Sequence, residues 1–379
     1  MLNRMSLTGV AFLIFACTLL WANPDAAGQS TRPEPRDAWE RLLRERIKLP
    51  EDYQLEVFAR GLGTPRMMQL TVGGDLIVSG YKSGYIVLLK SDGDGDGHAD
   101  DLVVLGRDLN LPHGLLLEGS SLLVAEVNRV VKYDFDGKAL SNARVILDDI
   151  PEGGHSSRTL ARGPDGFLYL SIGSSCNACI EDHSWRAAML RFKEGSAPEI
   201  FASGLRNTVG FDWQPATGAF YGVDNGRDNL GDDVPDDEVN LIEQGKHYGW
   251  PFLHGSGVED PDMFSQKPEG LAITNQAFGL GGHVAPLSIA FLKHQADTAL
   301  NGSALVGEHG SWNRTVKSGY RIMRLVFDGG SIREEPFLTG CEVKGEVICR
   351  PVGILEAGDG SLYVSDDYAG AVYRIMKSR

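Results

Sequence analysis

The sequence is short of several things. It has 36 lysines and arginines against 51 aspartates and glutamates, a formal net charge of -15. That balance argues against a nucleic-acid partner, which would want a basic face. Cysteine is scarce, at five in 379 residues, and no further ligands stand in register with these cysteines for a zinc site. The Cys176–Cys179 pair is followed by Ile180, so the histidine of a haem-attachment motif is missing. Beyond the N-terminus no apolar run approaches the ~20 residues that span a bilayer, so the mature chain is expected to have no membrane span.

The one long apolar run, "LTGVAFLIFACTLLWA", follows Arg4 and ends near Ala22. It has the order of an export signal, a positive start followed by an apolar stretch and small residues, and predicts a signal peptide over 1–22. The mature protein is then periplasmic or secreted. Four cysteines remain in an oxidising compartment, and 176–179 with 341–349 is the simplest disulfide pairing. Residues 23–48 read as a polar lead-in and a short helix, "DAWERLLRERI". Residues 49–379 read as one domain.

What the chain does have is glycine, 47 residues without a collagen period, which implies many tight turns. Segments made of a turn, an apolar strand, a polar break and a second alternating strand recur. They begin near Gly73, Glu118, Pro164, Ala216, Leu300 and Gly358. The equivalent Leu76, Leu122 and Leu168 lie 46 residues apart, close to a four-stranded propeller blade. Six copies predict an all-β fold, a six-bladed β-propeller with four-stranded antiparallel blades. In such a fold the loops at one end of the channel converge on a single ligand site.

Several polar residues stand just before strands and so fall at that mouth. They are His155 in "EGGHSSRTLARGPDG", Arg206 and Asn207 in "GLRNTVGFDW", and His309, Asn313 and Arg314 in "GEHGSWNR". Arg350 in "CRPVGIL" and Arg66 in "TPRMMQL" take the same position. Arginines gathered in one channel need an anion to pair with, which points to a planar, multiply charged ligand. The stretch 223–251 is dense in carboxylates and turns and suits calcium. So does "DGDGDGHAD", with Asp92, Asp94, Asp96 and Asp100, although Val103 stands where an EF-hand would place its closing glutamate.

With these motifs in place the chain resembles the soluble quinoprotein glucose/sorbosone dehydrogenases, which use pyrroloquinoline quinone (PQQ). The resemblance runs from about Leu49 to Ile375 and is carried by "GGHSSRTLARGPDGFLYLSIGSSCNAC", "GLRNTVGFDW", "DEVNLIEQGKHYGWP", "GEHGSWNR" and "CRPVGILEAGDGSLYVSDDYAG". The "SSCNAC" and "HGSWNR" versions look closest to the sorbosone and pyranose dehydrogenase branches. The resemblance implies PQQ and calcium at the channel mouth, with His155 as general base and Arg206 facing the quinone oxygen. It implies Arg66, Asn207, His309, Asn313, Arg314 and Arg350 around the cofactor. Main-chain oxygens of Gly226 and Arg227 would ligate the cofactor's calcium, and Glu238 and Tyr248 a second one. The insert "DNLGDDVP" departs from the family pattern and makes Asp232 or Asp233 an alternative ligand, and the family's lysine near PQQ has no match. The implied reaction is oxidation of an aldose or related sugar. Without a haem motif, electrons would leave to a separate cytochrome or quinone. The rival readings are a calcium-dependent, lactonase-like propeller hydrolase and a non-catalytic binding propeller. A neutral lactone has no use for the arginine set.

Overall fold

The computed structural model describes residues 38–377; the expected export signal and most of the lead-in lie outside the described residues. Six four-stranded antiparallel sheets form the blades of a propeller. The innermost strands are Pro65–Leu70, Leu115–Glu118, Leu160–Arg162, Thr208–Trp213, Pro286–Phe291 and Pro351–Glu356. The ring is closed by an exchanged strand. Tyr53–Ala59, early in the chain, pairs with Ala371–Lys377 at its end and completes the last blade.

The 46-residue spacing reports the second strand of each blade. Leu76, Leu122 and Leu168 all sit on that strand and are fully buried, and Phe220, Ala304 and Leu362 occupy the corresponding strands later in the chain. Their side chains fill the wedges between neighbouring blades, as in the cluster of Ile77, Ile86, Leu88, Leu115, Leu122 and Val124. The inner strands crowd the axis where glycine permits it. A Cβ on Gly210 would lie 2.4 Å from Ser288 Cα, and one on Gly353 2.5 Å from the Arg66 carbonyl. Met67, Val209, Leu287 and Val352 pack together across the channel.

The longer later spacings come from insertions. In the fourth blade the chain from 225 to 235 joins the second and third strands, and a further excursion carries the small hairpin Leu253–His254/Val258–Glu259. Before the sixth blade the hairpin Glu342–Val343/Glu346–Val347 is clasped by Cys341–Cys349; Cys176–Cys179 is the other disulfide. The helix Ala38–Arg46 buries Leu43 in the cluster that also holds Tyr373 and Cys341, and sets Trp39 against Tyr373. Among the described residues no helix is long and apolar enough to cross a membrane.

Candidate active site

A polar cavity of about 310 Å³ opens at the end of the channel where the inner strands begin. His155, Arg206, Asn207, Arg66, His309, Asn313 and Gly226 line it, and so do His283, Asp228, Asp237 and Trp312.

His155 is held by its neighbours. Gly153 and Gly154 both have positive φ, and a Cβ on Gly154 would lie 2.5 Å from the Ser175 backbone. The chain therefore turns against the 173–176 segment, and the imidazole rests over Gly173, where a Cβ would come within 2.6 Å of the His155 Cβ. Nδ1 faces the Ser174 carbonyl at 3.1 Å and Ser174 Oγ at 2.9 Å. The hydroxyl gives its own proton to the Cys176 carbonyl at 2.7 Å, so both partners of Nδ1 are acceptors. Nδ1 therefore carries the proton and Nε2 keeps its lone pair. Burial, and next the positive charge of Arg206, lower the pKa of His155 to about 4.

Arg206 is almost wholly buried, and burial lowers its pKa. Its guanidinium donates to the carbonyl of Asn177 (3.0 Å), to Asn177 Oδ1 (3.0 Å) and to the Asn225 carbonyl (3.1 Å), and pairs with Asp228 at 3.0 Å. The other Asp228 oxygen accepts from Asn313 at 2.9 Å. The Cys176–Cys179 loop and the fourth-blade insertion thus meet on this one arginine. Asn177, Asp228, Asn225 and Ser174 were missed in the sequence, where each is an ordinary polar residue. The only signal was their place beside the "SSCNAC" and "VDNGRD" motifs.

Arg66 and His309 share a carboxylate. Asp367 forms an ion pair with Arg66 at 2.7 Å and accepts from His309 Nε2 at 2.7 Å. The His309 hydrogen bond and the Arg66 charge hold its pKa well below the carboxylate range, while burial lowers His309 to about 4. Arg66 Nε and Asn313 Oδ1 are buried without a hydrogen-bond partner among the described residues.

Two expected cofactor arginines do not line the cavity. Arg314 donates to the Val316, Asp232 and Gly282 carbonyls and pairs with Asp233. Arg350 donates to the carbonyls of His309 (2.9 Å) and Gly310 (2.6 Å) and stacks on Tyr320. The premise that gathered arginines need an external anion is corrected accordingly. Protein carboxylates and carbonyls partner all of them, and what remains for a ligand is the unused Arg66 Nε and the edges facing the cavity.

A second, much smaller pocket of about 10 Å³ adjoins Arg206, enough for one ion or water. Gly226, Arg227, Glu238 and Tyr248 line it together, along with Asp224 and His254. Asp224 and Glu238 are buried. Burial raises Asp224 to about 8, with the Glu238 charge adding to it, and raises Glu238 to about 7. Asn240 Oδ1, beside Glu238, is buried without a partner among the described residues. The Arg227 side chain turns away to Asp260 and Asp262, and the Tyr248 hydroxyl is taken by the Leu241 carbonyl and the Glu243 amide. Asp232 and Asp233 are not brought to this pocket. Asp232 accepts from the Thr315 amide and Asp233 from Arg314, so the insert folds outward onto the 314–316 turn.

Comparison with known proteins gives this geometry relatives. Residues 47–251, more than half of the chain, match the family described as TrAA12-like, and residues 190–374 match Glucose / Sorbosone dehydrogenase. An uncharacterized protein of Borreliella burgdorferi is 27% identical, over 87% of this chain and 90% of its own. A pyrroloquinoline quinone-dependent sugar dehydrogenase of Hypocrea jecorina is 24% identical, over 86% of this chain and 89% of its own. The pyrroloquinoline quinone-dependent pyranose dehydrogenase of Coprinopsis cinerea is also 24% identical over 84% of this chain, but the match spans only 53% of that longer protein. Among solved structures, a Trichoderma reesei carbohydrate-active enzyme of family AA12 superposes with a TM-score of 0.76 at 22% identity, over 88% of this chain and 98% of that one. The holo form of the Coprinopsis cinerea pyranose dehydrogenase PQQ domain superposes with a TM-score of 0.72 at 21% identity, over 87% and 96%. Their fold is this fold, and with the family match covering most of the propeller, the chain belongs to the soluble PQQ-dependent sugar dehydrogenase family.

Proposed function

We propose that the protein oxidises an aldose or related sugar with PQQ and calcium, and passes the electrons to a separate cytochrome or quinone. The observation that carries this reading is the pairing of a base and a cation at one cavity. His155 presents an unprotonated Nε2, and Arg206 fixes a buried positive charge beside it. A hydride-removing dehydrogenase needs both, one group to take the hydroxyl proton and another to favour charge on the acceptor.

The residues present fit PQQ. The cavity volume is in the range of small-molecule sites. Its wall supplies donors from Arg66, Asn207 and Asn313, with the orphaned Arg66 Nε among them. When bound, PQQ would supply the quinone that accepts hydride from the substrate carbon. Arg66, Asn207, His309 and Asn313 would hold it directly. Arg350 would act through the His309 carbonyl and Arg314 by fixing the fourth-blade insertion. His155 Nε2 would take the proton, its ring held by Ser174. For calcium, the small pocket offers the buried carboxylates of Asp224 and Glu238, with the Gly226, Arg227 and Tyr248 positions around it. A cation there would pair with these two carboxylates, whose ionised forms burial otherwise disfavours.

Export to the periplasm or the medium is part of the same proposal, since the two disulfides suit an oxidising compartment. The test is reconstitution. Apoprotein given PQQ and calcium should reduce a dye with aldoses as donors, and should show no activity with NAD. Dye reduction that is independent of PQQ would overturn the reading.

A further inference from the structure

The acidic repeat at 92–100 lines neither pocket. It joins the third and fourth strands of the first blade, Tyr85–Leu89 and Leu102–Gly106. Asp92, Asp94 and Asp100 bring carboxylate oxygens within 4.8 Å of one another. That is the span of two ligands on opposite sides of an ion at ~2.4 Å, the usual calcium–oxygen distance. Asp92 carries the strongest signal. Its side chain is only 5% exposed. Its Oδ2 accepts from the Gly97 amide (3.2 Å) and from Arg374 (2.8 Å), while Oδ1 is buried with no hydrogen-bond partner among the described residues. A buried carboxylate oxygen without a donor is costly unless a cation satisfies it.

The same loop is tied to the blade that closes the ring. His98 donates from Nδ1 to the Val57 carbonyl at 2.7 Å, and the Ala99 amide donates to the Phe58 carbonyl at 2.8 Å. Arg374 bridges Asp92 and Glu56. Val57 and Phe58 lie on the exchanged strand Tyr53–Ala59, and Arg374 on its partner Ala371–Lys377. The imidazole of His98 is thereby turned to the backbone, and the clustered ligand atoms are all oxygens, which selects a hard cation. The spacing Asp92, Asp94, Asp96 followed by Gly97 at φ 91° is that of the first half of a calcium-binding turn, but the expected ligand Asp96 is not part of the cluster and its carboxylate accepts from the His98 amide instead.

We propose that the 92–100 loop binds one calcium ion and that this ion fastens the first blade to the exchanged strand that closes the propeller. The site is independent of the proposed sugar chemistry. The full chain, freed of metal, is titrated with calcium by calorimetry and its melting temperature followed, for the wild type, for Asp94→Asn/Asp100→Asn and for Glu238→Gln. The loop variant should bind one calcium fewer per chain and lose a calcium-dependent rise on the order of 5 °C at calcium a hundred-fold above Kd. Glu238→Gln should keep that rise. Hydrogen exchange in 53–59 should slow with calcium in the wild type and not in the loop variant. Equal calcium stoichiometry and equal thermal response in wild type and loop variant would overturn the site. Loss of the ion with no change in exchange at 53–59 would overturn the fastening role. Neither outcome depends on PQQ or turnover, so failure here is distinct from failure of the proposed reaction.

Discussion

If His155 is the base, its titration is set by the walls of its seat. Its folded pKa of about 4 lies below the ordinary 6.5 because burial penalises the charged ring, with Arg206 the next cause. The working form is the neutral one, so the base is available at every pH above that value. At pH 5.5 a group titrating near 4 is about 97% neutral, whereas an ordinary histidine at 6.5 is only about 9% neutral. NMR of histidine-labelled apoprotein, with the His155 signals assigned from His155→Gln, reads this directly. It should show an Nδ1-protonated tautomer that persists down to about pH 4.5. Arg206→Gln removes the second cause and should raise the titration point, and in the loaded enzyme should move the acid limb of kcat/KM the same way. His155→Gln keeps polar volume and removes the basic nitrogen. Its kcat should fall about 10²- to 10⁴-fold, some 2.7–5.4 kcal/mol of barrier. A histidine that titrates near 6.5, or a His155→Gln enzyme with near-normal turnover, would refute the reasoning.

Other perturbations probe what surrounds the base. Asn177→Ala deletes the amide that accepts from Arg206 and from the Asp228 backbone; kcat should drop about 10- to 100-fold with KM little changed, and a KM effect alone would contradict the positioning role. His113 is fully buried between Tyr81 and Thr159, and burial, helped by Arg66, lowers its pKa to about 3. Because the unfolded chain then takes up protons first, the contribution of His113 to apoprotein stability should be full above about pH 6.5 and lost as pH falls toward 3; a difference in urea midpoint between wild type and His113→Gln that stays constant from pH 7 to 4.5 would refute this. Leu122→Ala empties a position between the first two blades and should cost about 2–5 kcal/mol in denaturant unfolding while leaving the His155 tautomer unchanged.

The blades were legible because burial imposes a pattern. Leu76, Leu122 and Leu168 must be apolar to fill a wedge, and the turns around them must be glycine-rich. The mouth was legible for residues in the short loops before the inner strands or, for Arg66, at the start of one, so His155, Arg206, Asn207 and Arg66 do meet at one cavity. Residue type alone could not say what a guanidinium bonds to. Arg314 and Arg350 carry the same charge as Arg66, yet their donors are spent on backbone carbonyls. The insert was the least legible part. Asp232 and Asp233 are as acidic as Asp228, but only Asp228 turns inward, because Arg206 and Asn313 hold its two oxygens. Asn177 was invisible for a similar reason, since its importance comes from a partner twenty-nine residues away.

The central claim is that this cavity oxidises a sugar by passing hydride to PQQ, with His155 taking the proton. The most direct measurement mixes apoprotein with one equivalent of PQQ and excess calcium, then adds an aldose in the absence of any electron acceptor. The bound-quinone absorbance should bleach once per chain within seconds in the wild type, and about 10²- to 10⁴-fold more slowly in His155→Gln. No bleaching with any aldose, or bleaching at the same rate in both proteins, would contradict the account.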